Sequence, residues 1–275
     1  MSNMPKIIGE QGPLAKLASI LQEYNQVTVL LSGGMDSAFL LWACTQFLPK
    51  DRIKAVTCNS PTTPRQELAR AIKTAEILGV EHIILFSPEM EDEDFCRNDD
   101  LRCYYCKRSR LTHIKKTPGQ NWGTLLDGTH LDDLKEYRPG MKAAREFGIS
   151  SPLLEAGLDR AAIKSLAVEY QLPLPDRPVE SCLATRIKTG QRLDIDLMAK
   201  LDELEEAIRG LGIALVRARW NSGEIRLEVR SEDLPVIMDN REKIINLAKN
   251  RGFSTVSLDL RGYGPRDVSN KESEV

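Results

Sequence analysis

The chain has 275 residues, with 38 Lys plus Arg against 40 Asp plus Glu and a formal net charge of -2. That balance argues against a general nucleic-acid coat protein, which carries a basic excess, but leaves room for a local basic pocket. No stretch approaches the roughly 20 apolar residues that a membrane helix needs. Residues 1–10 carry no apolar leader segment. The six cysteines are therefore expected in a cytoplasmic setting, as buried fillers, metal ligands or catalytic groups rather than a disulfide scaffold.

In chain order, 26–31 (QVTVLL) predicts a buried strand that runs directly into Ser32-Gly33-Gly34. Residues 36–47 predict a helix with Phe39, Leu40, Ala43 and Phe47 on one side. A second strand is expected over 53–57, a second helix over 64–78 with a turn at Gly79, and a third strand over 82–86. The acidic run 89–94 reads as a solvated loop, and 104–115 is compatible with a helix. A fourth strand, 124–126, ends at Asp127-Gly128. Strand and helix in alternation imply a mostly parallel sheet with helices on both faces, and ligands at the carboxyl ends of its strands. The three prolines within 172–178 mark a boundary, dividing the chain into 1–175 and 176–275. Beyond it, a helix is expected over 194–210, with Leu197, Leu201, Leu204 and Ile208 on one face. A hairpin of 214–220 and 224–230 turns at Asn221-Ser222-Gly223. A helix over 231–249, a strand over 254–260 and a polar, disordered tail over 267–275 complete a small α+β domain.

Ser32-Gly33-Gly34-Met35-Asp36-Ser37 follows a strand and opens a helix. Two glycines let the backbone approach a ligand, and the N–H groups at a helix start suit phosphate. Asp36 would repel that phosphate unless Mg²⁺ lies between them. The plain alternative is a strand-to-helix turn with an Asp or Ser cap. The hexapeptide resembles the PP-loop, SGGxDS, of the ATP pyrophosphatase family, whose members move AMP from ATP to a substrate oxygen and then displace it with nitrogen or sulfur. The resemblance implies a Rossmann-like α/β domain in which Ser32, Gly33, Gly34, Asp36 and Ser37 hold pyrophosphate and Mg²⁺. It also points to Cys58, Asn59, Ser60 and Gly128 along the adenosine edge.

Cys103-x2-Cys106 puts two thiols within reach of one metal, as a zinc half-site, a redox pair or part of an iron–sulfur site. Cys182 lies near Arg186, which would favour a thiolate. Cys44 and Cys58 read as small buried residues, and Cys96 is the competitor for a third ligand position. The three histidines form no ligand set.

SGGMDS, Leu126-Asp127-Gly128, Glu136-Tyr137-Arg138-Pro139-Gly140, Ser181-Cys182 through Arg186, Val216-Arg217-Ala218-Arg219 and Ser257-Leu258-Asp259-Leu260 together resemble the LarE family from Leu21 to Gly264. That family comprises ATP-dependent sulfur insertases of nickel-pincer cofactor biosynthesis. The resemblance implies adenylation of pyridinium-3,5-biscarboxylic acid mononucleotide and conversion of its carboxylates to thiocarboxylates. In one branch a single cysteine, matching Cys182, gives up its own sulfur. The branch with CxxC implies a 4Fe–4S cluster on Cys103, Cys106 and Cys182 that can carry an extra sulfide. Asp36 and the three cysteines are the expected catalytic residues. Arg138, Arg186, Arg217 and Arg219 are the expected substrate ligands, Arg217 and Arg219 because they share one face of a strand. Glu205 and Glu228 match acidic positions of the family. The partners implied are a small nucleotide substrate, sulfide or a sulfur-donor protein, and further copies of the chain, with no nucleic acid or membrane. Competing readings are an iron–sulfur tRNA thiolase, an amidating enzyme of the NAD synthetase kind, and a nucleotide-binding redox sensor.

Overall fold

The structure, a computed structural model, describes residues 12–172 and 181–263. The chain divides into two compact units, Met1–Ser181 and Cys182–Val275. The expected boundary at 175/176, the prolines that motivate it and the tail 267–275 lie outside the described residues.

The first unit opens with helix α1 (Pro13–Gln22), strand β1 (Val27–Leu30) and helix α2 (Met35–Phe47). Strand β2 (Ile53–Asn59), helix α3 (Arg65–Leu78) and strand β3 (Glu81–Phe86) follow. Then come α4 (Glu93–Cys96), α5 (Arg102–Lys116), β4 (Thr124–Leu126), α6 (Pro139–Glu146), α7 (Pro152–Glu155) and α8 (Arg160–Glu169). The four strands form a parallel sheet in the order β3-β2-β1-β4. The chain steps one way from β1 to β3 and returns to the other side of β1 for β4. The β1/β4 seam is thus the switch point, where open α/β sheets bind ligands.

Helix α2 departs from the expected one-sided pattern: Ser37 to Cys44 are all buried. The helix lies against the sheet and is covered in turn by α1 and α8, and a helix apolar all round is a buried one. Leu111 and Ile114 of α5 pack on the opposite face with Val56, Trp122 and Leu125. Residues 131–170 held no expected element, yet they form α6, α7 and α8. Helices α6 and α7 carry Pro at their starts and α8 an Asp159 cap that accepts from Ala162 N, which are helix-start signals.

The acidic run is not a solvated loop. Glu89 is fully buried, and α4 buries Phe95 and Cys96. Glu89 Oε1 accepts from Ser60 Oγ at 2.5 Å, from Thr62 Oγ1 at 3.1 Å and from Arg110 Nη2 at 2.6 Å. Burial pushes the Glu89 carboxyl up, but the Arg110 charge and hydrogen bonds from Arg110, Ser60 and Ser87 outweigh it and hold the group below its ordinary range.

The second unit contains α9 (Ile195–Arg209), β5 (Val216–Asn221), β6 (Glu224–Val229), α10 (Leu234–Asp239), α11 (Arg241–Lys249) and β7 (Thr255–Leu258). Asp194 caps α9 by accepting from Leu197 N, and the buried row is Met198, Leu201, Leu204 and Ile208, with Met198 in the place expected of Leu197. Strands β5 and β6 are antiparallel, with Asn221 opposite Glu224. Ser222 and Gly223 both have positive φ, +50° and +97°, which makes the two-residue turn type I′. Strand β7 pairs parallel to β6, so the helical segment between them is a crossover. That segment is two helices broken at Asn240, whose Nδ2 donates to Val236 O at 2.9 Å. Such local bonding competes with a continuous helix.

Glu89→Gln is expected to destabilise the protein by about 3 kcal/mol at pH 7, the scale for breaking a buried ion pair. The stabilising effect of a depressed carboxyl is present above its unfolded pKa and is lost as pH falls through the folded value. The gap between wild type and variant in urea melts should therefore close as the pH drops below about 4.

Candidate active site

Strand β1 delivers the chain to Ser32-Gly33-Gly34, and α2 starts one residue later with Gly34 as its cap. The first N–H groups of an α-helix have no partner within it, and the dipole adds partial positive charge. Ser32 N donates to Ser37 Oγ at 3.2 Å, Gly34 N to Ser32 Oγ at 3.3 Å, and Ser37 Oγ to Gly34 O at 3.1 Å. The two hydroxyls thus brace the loop. Gly33 has φ +85°, and a Cβ there would lie 2.2 Å from the Glu67 carbonyl oxygen. Across the switch point, a Cβ on Gly128 would lie 2.8 Å from Ser37 N. Both glycines are required by close approach.

Asp36, in the first turn of α2, meets Arg160 Nη2 at 3.3 Å and His130 Nε2 at 3.6 Å through Oδ2. Its Oδ1 is buried and has no hydrogen-bond partner among the described residues. An unmet carboxylate oxygen beside a phosphate-binding loop fits a hard divalent cation such as Mg²⁺. His130, Arg160 and Asp133 were not singled out in the sequence. His130 is buried, its backbone N–H donates to Asp133 Oδ2 at 3.0 Å, and Arg138 Nη1 approaches Asp133 Oδ1 at 2.7 Å. Arg138 is partly exposed and also meets Glu136. With Tyr104, Tyr137, Lys142 and Arg145 it lines an open cleft of about 450 Å³. The signal for Asp36's neighbours was weak: His130 lies four residues past the end of β4 at Leu126, but nothing nearby in sequence announces Arg160.

Of the expected adenosine edge, Asn59 ends β2 and its carbonyl accepts from Ser87 N at 2.9 Å. Ser60 is buried and bonded to Glu89 and Arg110 rather than open to a ligand, a correction to its expected role. The Cys58 thiol is pushed up to about 11 by burial, partly offset by the Arg110 charge.

Cys103 is exposed and Cys106 half-buried. Both sit in the first turns of α5, three residues apart and so on one face. Arg110, one turn on from Cys106, is within electrostatic reach of its sulfur. Cys44 is fully buried, and desolvation pushes its thiol up to about 12. Cys96 is buried, with Sγ donating to Met90 O at 3.2 Å. These residues suit core roles. A pair of accessible sulfurs on one helix face suits an iron–sulfur cluster, although among the described residues no group of three or more His, Cys, Asp or Glu is gathered as for a single metal ion.

In the second unit Cys182, half-buried, precedes a 3-10 turn, Leu183–Arg186. Arg186 is not an open anion ligand as expected. It is fully buried, with Nε and Nη2 each 2.8 Å from a Glu205 oxygen. Its Nη1 donates to the Cys182 carbonyl at 3.3 Å, so Arg186 anchors the cysteine's backbone to α9. Glu205 also accepts from Ala218 N and Arg209. Arg217 and Arg219 do share one face of β5, opposite Glu228 and Arg226 of β6. Arg217 is buried with its guanidinium 5.4 Å from the Tyr263 ring centre. Arg219 donates to Glu228 at 2.9 Å and to Thr185 O at 2.7 Å. Arg219, Arg226 and Lys188 line a cleft of about 780 Å³ within this unit, and guanidinium groups arrayed on one face suit phosphate or carboxylate.

Gly128→Ala would drive a methyl against the Ser37 amide. ATP-dependent pyrophosphate release, followed by coupled phosphate detection, should fall on the order of 100-fold, the cost of losing one preorganised backbone donor. Asp36→Asn should bind ATP with a much weaker dependence on Mg²⁺ in calorimetric titrations.

No helix among the described residues is long and apolar enough to cross a membrane. Residues 17–98 match the family model for asparagine synthase, a span that runs from α1 through the phosphate loop to α4. An uncharacterized protein of Synechocystis sp. is 29% identical over 92% of this chain and 95% of its own length. An uncharacterized protein of Methanocaldococcus jannaschii is 30% identical over 91% of this chain and 96% of its own. The pyridinium-3,5-bisthiocarboxylic acid mononucleotide synthase of Lactiplantibacillus plantarum is 30% identical over 90% of this chain and 91% of that protein. With a phosphate loop at the switch point of a parallel sheet and likeness along nearly its whole length, the chain is an ATP-dependent enzyme of the LarE family, within the PP-loop ATP pyrophosphatases.

Proposed function

We propose that the enzyme is a cytoplasmic sulfurtransferase that adenylates the carboxylates of pyridinium-3,5-biscarboxylic acid mononucleotide and converts them to thiocarboxylates for a nickel-pincer cofactor. The observation that carries this reading is the pairing, in one unit, of a phosphate loop with an unmet Asp36 oxygen and a helix presenting Cys103 and Cys106. The likeness to the Lactiplantibacillus plantarum protein, a pyridinium-3,5-bisthiocarboxylic acid mononucleotide synthase by name, supports it.

In the first step a substrate carboxylate oxygen attacks the α-phosphorus of ATP, the bond to the β-phosphate oxygen breaks, and pyrophosphate leaves. Ser32, Gly33, Gly34 and Ser37 hold the departing pyrophosphate, and Asp36 holds its Mg²⁺. In the second step a sulfide attacks the acyl carbon, the C–O bond to AMP breaks, and the thiocarboxylate forms. Cys103, Cys106 and Cys182 would hold a 4Fe–4S cluster, whose one iron without a protein thiolate supplies a position for that sulfide. Arg219 supplies charge for the substrate's phosphate and carboxylates from the β5 face that it shares with the buried Arg217, Arg138 is a further anion ligand, and Arg186 steadies Cys182.

Anaerobically reconstituted protein should show visible iron–sulfur absorption and about four irons per chain. Ser substitution at Cys103, Cys106 or Cys182 should each abolish the absorption, while Cys96→Ser keeps it. The reverse result for Cys182 and Cys96 would overturn the ligand set. Mass spectrometry of Cys182 after turnover reads the route: an intact residue with thiolated product supports delivery of an external sulfide, and loss of its sulfur refutes it. Tight, salt-sensitive binding of the holoenzyme to tRNA would favour a tRNA thiolase instead.

A further inference from the structure

Lys107 directly follows Cys106 on α5, and its Nζ lies 2.6 Å from Asp127 Oδ2. Asp127 is the first residue beyond β4, buried, and precedes Gly128, the residue packed against the phosphate loop. Its Oδ1 accepts from Ser151 Oγ at 2.8 Å and from Thr129 N at 3.3 Å. Burial pushes this carboxyl up, but the Lys107 charge and the bonds from Lys107, Ser151 and Thr129 outweigh it, so the group stays ionised. Helix α6 also closes on α5 at Gly140, where a Cβ would lie 3.4 Å from the Cys103 carbonyl and 3.6 Å from Lys107 Cδ. The CxxC turn is therefore held twice, by α6 packed along Cys103 and Lys107 and by the bond from Lys107 to the strand end.

We propose that Lys107 is a positioning residue: its bond to Asp127 ties the Cys103–Cys106 turn to the edge of the sheet that binds the nucleotide, so that sulfur presented by that turn meets the acyl-adenylate. This rests on the sulfurtransferase reading. A short charge-assisted bond to a buried carboxylate fixes both geometry and register. One ångström of misplacement at a reacting pair can cost about 100-fold in rate. The hydrogen bonds of the pair run to Ser151 and Thr129 rather than to the phosphate loop, so the two half-reactions separate its role from nucleotide binding.

The test uses the full chain with Lys107→Met, Lys107→Arg and the double variant Lys107→Met with Asp127→Asn, which removes the uncompensated carboxylate that could unfold the single variant. In the holoenzyme, isotope exchange between pyrophosphate and ATP in the presence of substrate should stay within about twofold of wild type for the double variant. Its kcat for thiocarboxylate formation should fall on the order of 100-fold at unchanged KM for ATP, and Lys107→Arg should recover most of it. In cluster-free protein, alkylation of Cys103 and Cys106 mapped by mass spectrometry should quicken several-fold in the Met variants, with Cys44 and Cys96 unchanged as markers of an intact core. Loss of exchange along with transfer would make Lys107 a nucleotide ligand and overturn the proposal, as would full sulfur transfer or unchanged alkylation in the double variant. If wild type itself makes no thiocarboxylate, the functional reading fails, and the alkylation rates still decide whether Lys107 holds the turn.

Discussion

Everything at the nucleotide end of this enzyme depends on two places where no Cβ can exist. The phosphate loop fits between α3 and β4 because Gly33 presses on the Glu67 carbonyl from one side and Gly128 on the Ser37 amide from the other. That double contact draws the start of α2 into the seam between β1 and β4. The seam is where the strand order reverses, the place at which open α/β sheets bind their ligands. The apolar girth of α2, buried from Ser37 to Cys44, keeps that helix from sliding out of the seam.

Charge is handled differently in the two units, with one shared logic. Glu89 with Arg110 and Asp127 with Lys107 each pair a buried carboxylate with a cation from α5. Both acids sit just past strand ends, so a single helix with two basic residues is fixed across the edge of the sheet. In the second unit Glu205 gathers Arg186, Arg209 and the Ala218 amide, linking the Cys182 turn, α9 and β5. Removing one partner from such a site costs far more than the pair contributes, because a buried charge is left behind. The pairs therefore specify geometry around the cysteines more than they add stability.

The parallel sheet and the hairpin were legible because their signals are local: β-branched runs, the SGGMDS turn, and Asn-Ser-Gly between alternating strands. Helices α6 to α8 were not, since each is short and gains its stability from packing on α1, α2 or α5 rather than from a long amphipathic period. The acidic run misled for a related reason. Composition counts Glu89 as one of several solvated acids, and only the fold brings Arg110, 21 residues on, to meet it. Arg186 was legible as a residue near Cys182, but its partner Glu205 lies a helix away, which turned an anticipated anion ligand into an anchor. Asp36 was readable from its motif, whereas Arg160, which meets it from 124 residues along the chain, had no signal of its own.

The burial of thiols sets how this protein would age in oxygen. Oxidants react with thiolates that they can reach. Cys44 and Cys58 are held protonated by desolvation, and Cys96 is enclosed by α4 and its neighbours. Oxidative damage is thereby steered to the exposed Cys103 and the half-buried Cys106 and Cys182, leaving a chain that keeps its core and its phosphate loop while those sulfurs are oxidised. Such a molecule would keep its fold with its accessible thiols blocked, and a strong thiol reductant could restore it as long as those sulfurs had not passed beyond the sulfenic stage.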